Sequence, residues 1–159
     1  MKKTKGLTYA AIIAALYVVL SYLSHLLGLA SGGIQVRISE ALTVLPFFTP
    51  AAIPGLTAGC LITNLVTGCA PWDTVFGSLA TLLGALGTYA LRKRSPYLAP
   101  IPPIFANTLI IPFVLAYVYG DGTPIPLLAL GVFVGEFIAC GVFGVLLQRA
   151  LNRKDIFKL

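Results

Sequence analysis

Charge is scarce in this chain, and most kinds of polar chemistry are scarce with it. Of 159 residues only 10% are Asp, Glu, Lys or Arg, 58% are hydrophobic, and the mean hydropathy is +0.94. Soluble domains carry about 25% charged residues, so that class is excluded. There is a single histidine, His25, which excludes a multi-histidine metal site. The three cysteines, Cys60, Cys69 and Cys140, lack C-x-x-C spacing and lie in or beside apolar runs, where thiols act as small buried hydrophobes. No metal and no cofactor is expected. The sequence has no G-x-x-x-x-G-K-[ST] loop, so it does not hydrolyse ATP by that route, and no G-x-S-x-G elbow. Ser24, His25 and Ser31 crowd one segment, whereas a nucleophile and its base normally converge from separate elements. An enzyme is therefore not expected. No internal repeat is visible.

The charge that is present is arranged. Ten of the eleven basic residues fall in three clusters: Lys2, Lys3 and Lys5; Arg92, Lys93 and Arg94; and Arg149, Arg153, Lys154 and Lys158. Each cluster borders apolar sequence, as Lys and Arg do on the cytoplasmic flanks of membrane helices. If all three share one side of a bilayer, an even number of crossings separates each from the next. The net charge of +6 then reflects membrane orientation. A nucleic-acid surface would need those bases on one folded face among polar residues, so no nucleic acid is expected as a partner.

A membrane helix needs about 20 apolar residues. The run Leu7–Leu29 is too long for a signal-peptide core and is read as a retained span. Ser31, Gly32, Gly33, Gln35 and Arg37 form an external loop. Pro46, Pro50 and Pro54 then cut an apolar stretch into a short inward helix and a longer outward one. Further turns fall at Cys69–Asp73, at Arg92–Arg94 and at Gly120–Pro124. The expectation is an all-α integral membrane protein forming one domain, 1–159, embedded in a lipid bilayer. Its six transmembrane helices lie near 7–29, 34–48, 51–68, 73–91, 100–119 and 126–151, with both termini cytoplasmic. Small residues at Gly77, Ala80, Gly84 and Gly87, and at Gly131 and Gly135, suit close helix packing.

Only five residues are acidic. Asp155 belongs to the basic tail, and Asp121 sits in a Gly/Pro turn where Asp is favoured locally. Glu136 lies some ten residues into the last helix among Phe133, Val134, Phe137 and Ile138. A carboxylate there costs on the order of 2.5–3.5 kcal/mol on insertion scales. It either serves function or makes an interhelical hydrogen bond, with Asn107 as one candidate partner. Asn107 lies in the fifth span five residues before Pro112, which frees the carbonyl of Thr108; a broken helix lining a site and a simple kink are both open readings. Asn64 carries the same ambiguity. Arg37 and Glu40, three apart, can pair on one helix face. Asp73 and Trp72 open the fourth helix, where Asp is a normal N-terminal residue and Trp beside a carboxylate suits a planar or cationic ligand.

The segment from Gln35 to Leu56, with Arg37, Ser39 and Glu40 followed by Pro46, Pro50, Pro54 and Gly55, resembles the queuosine-precursor transporter (QueT) family. The similarity continues through Asn64, the segment from Asp73 to Leu82 and the small-residue first helix, covering most of the chain. Members of that family are substrate-binding S components of energy-coupling factor (ECF) vitamin importers. The resemblance implies six helices with both termini inside, and binding of a 7-deazaguanine such as 7-aminomethyl-7-deazaguanine or queuine. It also implies assembly with a transmembrane T protein and two ATPase subunits. S components meet the T protein through an Ala-x-x-x-Ala pattern in the first helix; here Ala10/Ala14 and Ala11/Ala15 both fit.

For such a ligand, a carboxylate accepts the ring and exocyclic N–H donors in bidentate fashion. Glu136 is the first choice for that contact. Asn107 and Asn64 suit the carbonyl or ring positions, Trp72 the ring face, and Asp73 a cationic aminomethyl group, with Arg37 and Glu40 as further candidate site residues. Two alternatives stay open: an S component for a different vitamin, and a non-transporting membrane scaffold whose polar residues only hold helices together. The topology has a direct check. Reporter fusions after Arg94 and at the C-terminus should both read cytoplasmic, and tags near Ser31 or Asp121 should label from outside. External labelling at Lys93 would sink the six-crossing arrangement.

Overall fold

The structure is a computed structural model and describes residues 2–31 and 34–152. Gly32 and Gly33 of the first loop lie outside the described residues. So do Asp155 and the basic Arg153, Lys154 and Lys158, and with them the end of the expected 1–159 domain. Among the described residues the chain is helical, without strands. We number six helices: α1 (Lys2–Leu26), α2 (Ile38–Phe47), α3 (Ala52–Val66), α4 (Pro71–Leu91), α5 (Ile101–Tyr117) and α6 (Ile125–Asn152). A short 3₁₀ turn, Pro96–Leu98, precedes α5.

Four segments are long and apolar enough to cross a membrane: Thr4–Leu26, Pro71–Leu91, Pro96–Tyr117 and Ile125–Asn152. The other two helices are shorter than expected. α3 has 15 residues, or about 22 Å of α-helix. α2 has ten and winds as a 3₁₀ helix, which stretches them to about 20 Å, still short of a bilayer core of about 30 Å. The remaining boundaries differ from expectation at their ends. α1 begins earlier, because nothing in Lys2–Gly6 stops a helix, and it ends at Leu26. α4 begins at Pro71, a residue suited to the first helical turn because its missing N–H is not needed there.

α1, α3 and α5 run one way through the bundle and α2, α4 and α6 return. α1 packs on α3, α3 on α4, α4 on α5, and α5 on α6. α2 sits in the middle against α1, α4 and α6, with every residue from Ser39 to Pro46 buried. Its Leu42 and Leu45 join Ile13, Tyr17, Leu56, Cys60 and Ala85 in the core. Outside, large apolar side chains such as Val19, Leu65, Phe105 and Leu109 are exposed, as a lipid-facing surface requires.

The small residues work as close contacts. A Cβ at Gly55 would stand 2.7 Å from the Ala10 carbonyl oxygen, and one at Gly59 would stand 3.0 Å from that of Ala14. The pair Gly55/Gly59 therefore beds on the pair Ala10/Ala14. Gly84 and Gly87 of α4 lie against Pro103 and Pro102 of α5 in the same way. α5 continues unbroken through Pro112, so the open reading of a broken helix there is not what forms. The irregular winding occurs in α6, where Phe137–Gly144 is a π segment directly after Glu136.

Candidate functional site

One end of the bundle gathers the C-termini of α1, α3 and α5 and the N-terminus of α4. The opposite end carries Arg92–Arg94 and Arg149, whose guanidinium lies 5.9 Å from the Tyr97 ring. At the first end is a cavity of about 290 Å³. Tyr17, Ser21 and His25, four apart on α1, form one wall, and Thr63, Asn64 and Thr67 of α3 another. Gln35 and Arg37 enter from the segment before α2, Asp73 from α4, and Tyr119 from just beyond α5. Gly68, at φ 71°, adopts the left-handed backbone that ends α3 and turns the chain toward Asp73.

A smaller recess adjoins it. Gln35, Arg37 and Ile111 line both, and Asn107, Val132 and Glu136 complete the recess. Behind it lies a buried polar network. The Tyr17 hydroxyl donates to Glu40 Oε1. The Ser21 and Ser39 hydroxyls bond at 2.6 Å, and Thr43 donates to the Glu40 carbonyl at 2.6 Å. The Cys140 thiol stands 3.2 Å from Glu136 Oε2 and 3.3 Å from the Glu40 carbonyl. The Asn107 amide interacts with both carboxylates, yet Glu40 Oε2 is left without a hydrogen bond of good geometry. Glu40, Glu136 and Cys140 bring one donor atom each within 4.8 Å of one another, and are the described residues that could hold a cation.

The expected site residues divide. Asn64, Asp73 and Arg37 face the main cavity, while Glu136 and Asn107 meet in the recess. Glu40 is 2% exposed and lines neither. The expected Arg37–Glu40 pairing is not formed within 4 Å: Arg37 stands in extended backbone ahead of α2 (φ −100°, ψ 106°), so the helical spacing does not apply, and Glu40 turns to Tyr17. Trp72 is also placed elsewhere. It is 62% exposed, stacks on Phe76 at 6.0 Å, and does not line the cavity. The alanine pairs separate as well, with Ala10 and Ala14 turned toward α3 and Ala11 and Ala15 exposed.

Sequence reasoning missed Tyr17, Ser21 and His25 as cavity residues. Their signal was available as a polar i, i+4, i+8 stripe inside the first apolar run. Tyr119 was missed altogether. Its hydroxyl donates to Asp73 Oδ2 at 2.7 Å and accepts the Ala70 N–H at 3.2 Å. Burial and the bond to Asp73 hold this phenol above its ordinary range. Ser24 is engaged by backbone: it donates to the Leu20 carbonyl and accepts the Ile38 N–H. Asp121 does what its turn suggested, accepting the Thr123 N–H at 2.9 Å, and the Thr123 side chain together with that N–H holds its carboxyl below the usual range.

An apolar-sided helical bundle with a polar cavity at one end describes a multi-pass membrane protein built around a small-molecule site. Residues 7–153 match the model of the QueT transporter family, and the chain belongs to that family. It is 40% identical over 86 residues to a protein of Lactococcus lactis subsp. cremoris (strain MG1363) named queuosine precursor transporter QueT. That alignment spans 52% of this chain and about half (50%) of the relative's length. No solved structure matches the chain.

The buried network has a measurable contribution. Tyr17→Phe removes the donor from Glu40 Oε1 while keeping the ring, leaving a buried carboxylate with neither oxygen well bonded. Stability in detergent should fall by about 1–3 kcal/mol. A thermal melt unchanged from the parent would show that this bond holds nothing together.

Proposed function

We propose that this protein is the substrate-binding S component of an ECF-type importer for a queuosine precursor or salvage form. In this reading all six helices form the membrane domain, both termini are cytoplasmic, and the cavity opens to the outside. The observation that carries it is the placement of that polar cavity at the end of the bundle opposite Arg92–Arg94 and Arg149. Positive residues on the cytoplasmic side leave the cavity facing the external solution, where an importer must collect its ligand. Membership of the QueT transporter family, with the likeness to a protein named queuosine precursor transporter QueT, supports that ligand class.

The ligand is a 7-deazaguanine lying in the main cavity with its donor-rich edge toward the recess. Glu136 accepts the ring and exocyclic N–H groups, and Asn107 and Asn64 bond the carbonyl and ring nitrogens. Arg37 stands where cavity and recess meet, placed to donate to the ring carbonyl. Glu40 supports the floor through Tyr17 without touching ligand. Glu136→Gln keeps the shape and loses the charge. Binding of 7-aminomethyl-7-deazaguanine should weaken by about 1.5–3 kcal/mol, the range for a charge-assisted bond, with the melting temperature nearly unchanged. Unaltered affinity with a lowered melting temperature would make Glu136 an interhelical tie.

Import against a gradient needs partners, here a transmembrane T protein and two ATPases that hydrolyse ATP on its behalf. Ala10/Ala14 is already occupied by Gly55/Gly59, which leaves Ala11/Ala15 as the register for the T protein. Ala15→Trp should preserve ligand affinity in the isolated protein and abolish ATP-dependent uptake in the reconstituted complex. Full uptake by the variant would remove this surface from the coupling scheme.

A further inference from the structure

Tyr119 is tied on both sides at the cavity rim. With the Ala70 N–H bonded to its oxygen and a single hydroxyl proton to give, its proton points at Asp73 Oδ2. One carboxylate oxygen is thereby fixed. The other, Oδ1, lies toward Gly77, where a Cβ would stand 3.6 Å from it and 3.0 Å from Asn64 Nδ2. A side chain at Gly77 would press on the Asn64 amide and touch the Asp73 carboxylate, so the glycine leaves both at the same spot. Asp73 is 5% exposed and is the one carboxylate among the described residues lining the cavity. Among the described residues no cation stands within 4 Å of it, and Arg37, which lines the same cavity, is the guanidinium that acts on it. The site therefore has two poles, the Arg37 guanidinium where cavity and recess meet and the Asp73 carboxylate beside Tyr119.

We infer that Tyr119 is a positioning residue that sets Asp73 as the acceptor for a cationic substituent at the cavity rim, so that the site selects ligands by the charge of the group projecting outward. The inference rests on the deazaguanine reading. The acceptor edge of the fused ring lies toward Arg37, and an ammonium carried on the five-membered ring reaches Asp73. A carboxylate meets an ammonium with one oxygen at low cost in geometry, because the ammonium is a compact charge with three rotatable donors. Holding Oδ2 on Tyr119 therefore leaves Oδ1 sufficient and prevents the carboxylate from swinging away.

The test compares 7-aminomethyl-7-deazaguanine with 7-ethyl-7-deazaguanine, a neutral isostere in which CH₃ replaces NH₃⁺, by calorimetry on the purified full chain. The parent should prefer the cation by roughly tenfold or more, as a charge-assisted bond provides. Asp73→Asn, which keeps the side-chain shape, should bring the ratio of the two affinities close to one. Tyr119→Phe should cut the ratio by about three- to tenfold, the equivalent of one hydrogen bond. A parent ratio near one, or a ratio that survives Asp73→Asn, overturns the inference. So does Tyr119→Phe weakening both ligands equally, which would mark Tyr119 as a packing tie. If Glu136→Gln weakens both ligands while the ratio behaves otherwise than stated, only the charge selection fails. If the parent binds neither ligand, the deazaguanine reading fails and this inference with it.

Discussion

α2 is buried on every side, and the polar atoms it carries must therefore be satisfied from within the bundle. That constraint organises the rest. Water cannot reach Ser39, Glu40 or Thr43, and an unpartnered buried polar group costs several times what a made hydrogen bond contributes. α1 answers with Tyr17 for Glu40, Ser21 for Ser39 and Ser24 for the first backbone N–H of α2. α6 answers from the other side with Cys140 against the Glu40 carbonyl and Thr43. The stripe that α1 uses for this purpose continues into the cavity wall, so the framework and the site draw on the same face of one helix.

The coarse architecture was legible in the sequence because it follows from two robust signals, apolar length and the edge position of Lys and Arg. Six helices and the turns between them come from those signals. The meeting of Glu136 with Asn107 was legible too, since a carboxylate and an amide within apolar spans have few other options. Asn64 and Asp73 reach one cavity because the Gly68–Ala70 turn brings adjacent helix ends together.

What escaped has physical causes. The i, i+3 relation that joined Arg37 to Glu40 presumes a helix through both, and the backbone at Arg37 is extended. Trp72 reads as a ring for stacking, but an interfacial aromatic on a membrane helix serves equally well facing outward, and here it does. Tyr17 and Tyr119 look like any aromatic of an apolar run, and only the third dimension gives each hydroxyl its carboxylate. The winding of α2 and the π segment of α6 were invisible for a different reason. Backbone irregularity inside a bundle is decided by what neighbours will satisfy the displaced carbonyls and N–H groups, and hydropathy carries no information about that.

The division of α1 into faces has a mechanical corollary. Ala11 and Ala15 look outward into the bilayer, while Tyr17, Ser21 and His25 look inward on the cavity, all on one unbroken rod. Ten residues of α-helix separate Ala11 from Ser21, about 15 Å along an axis that resists compression. The bed of Gly55 and Gly59 beneath it is smooth, offering backbone and hydrogen atoms where larger side chains would interlock. Tyr17, Ser21 and Ser24 bind that rod to α2, so the two form one stiff unit. Any push on the Ala11/Ala15 face would therefore reach the cavity wall and α2 together, with no intervening loop to absorb the stroke.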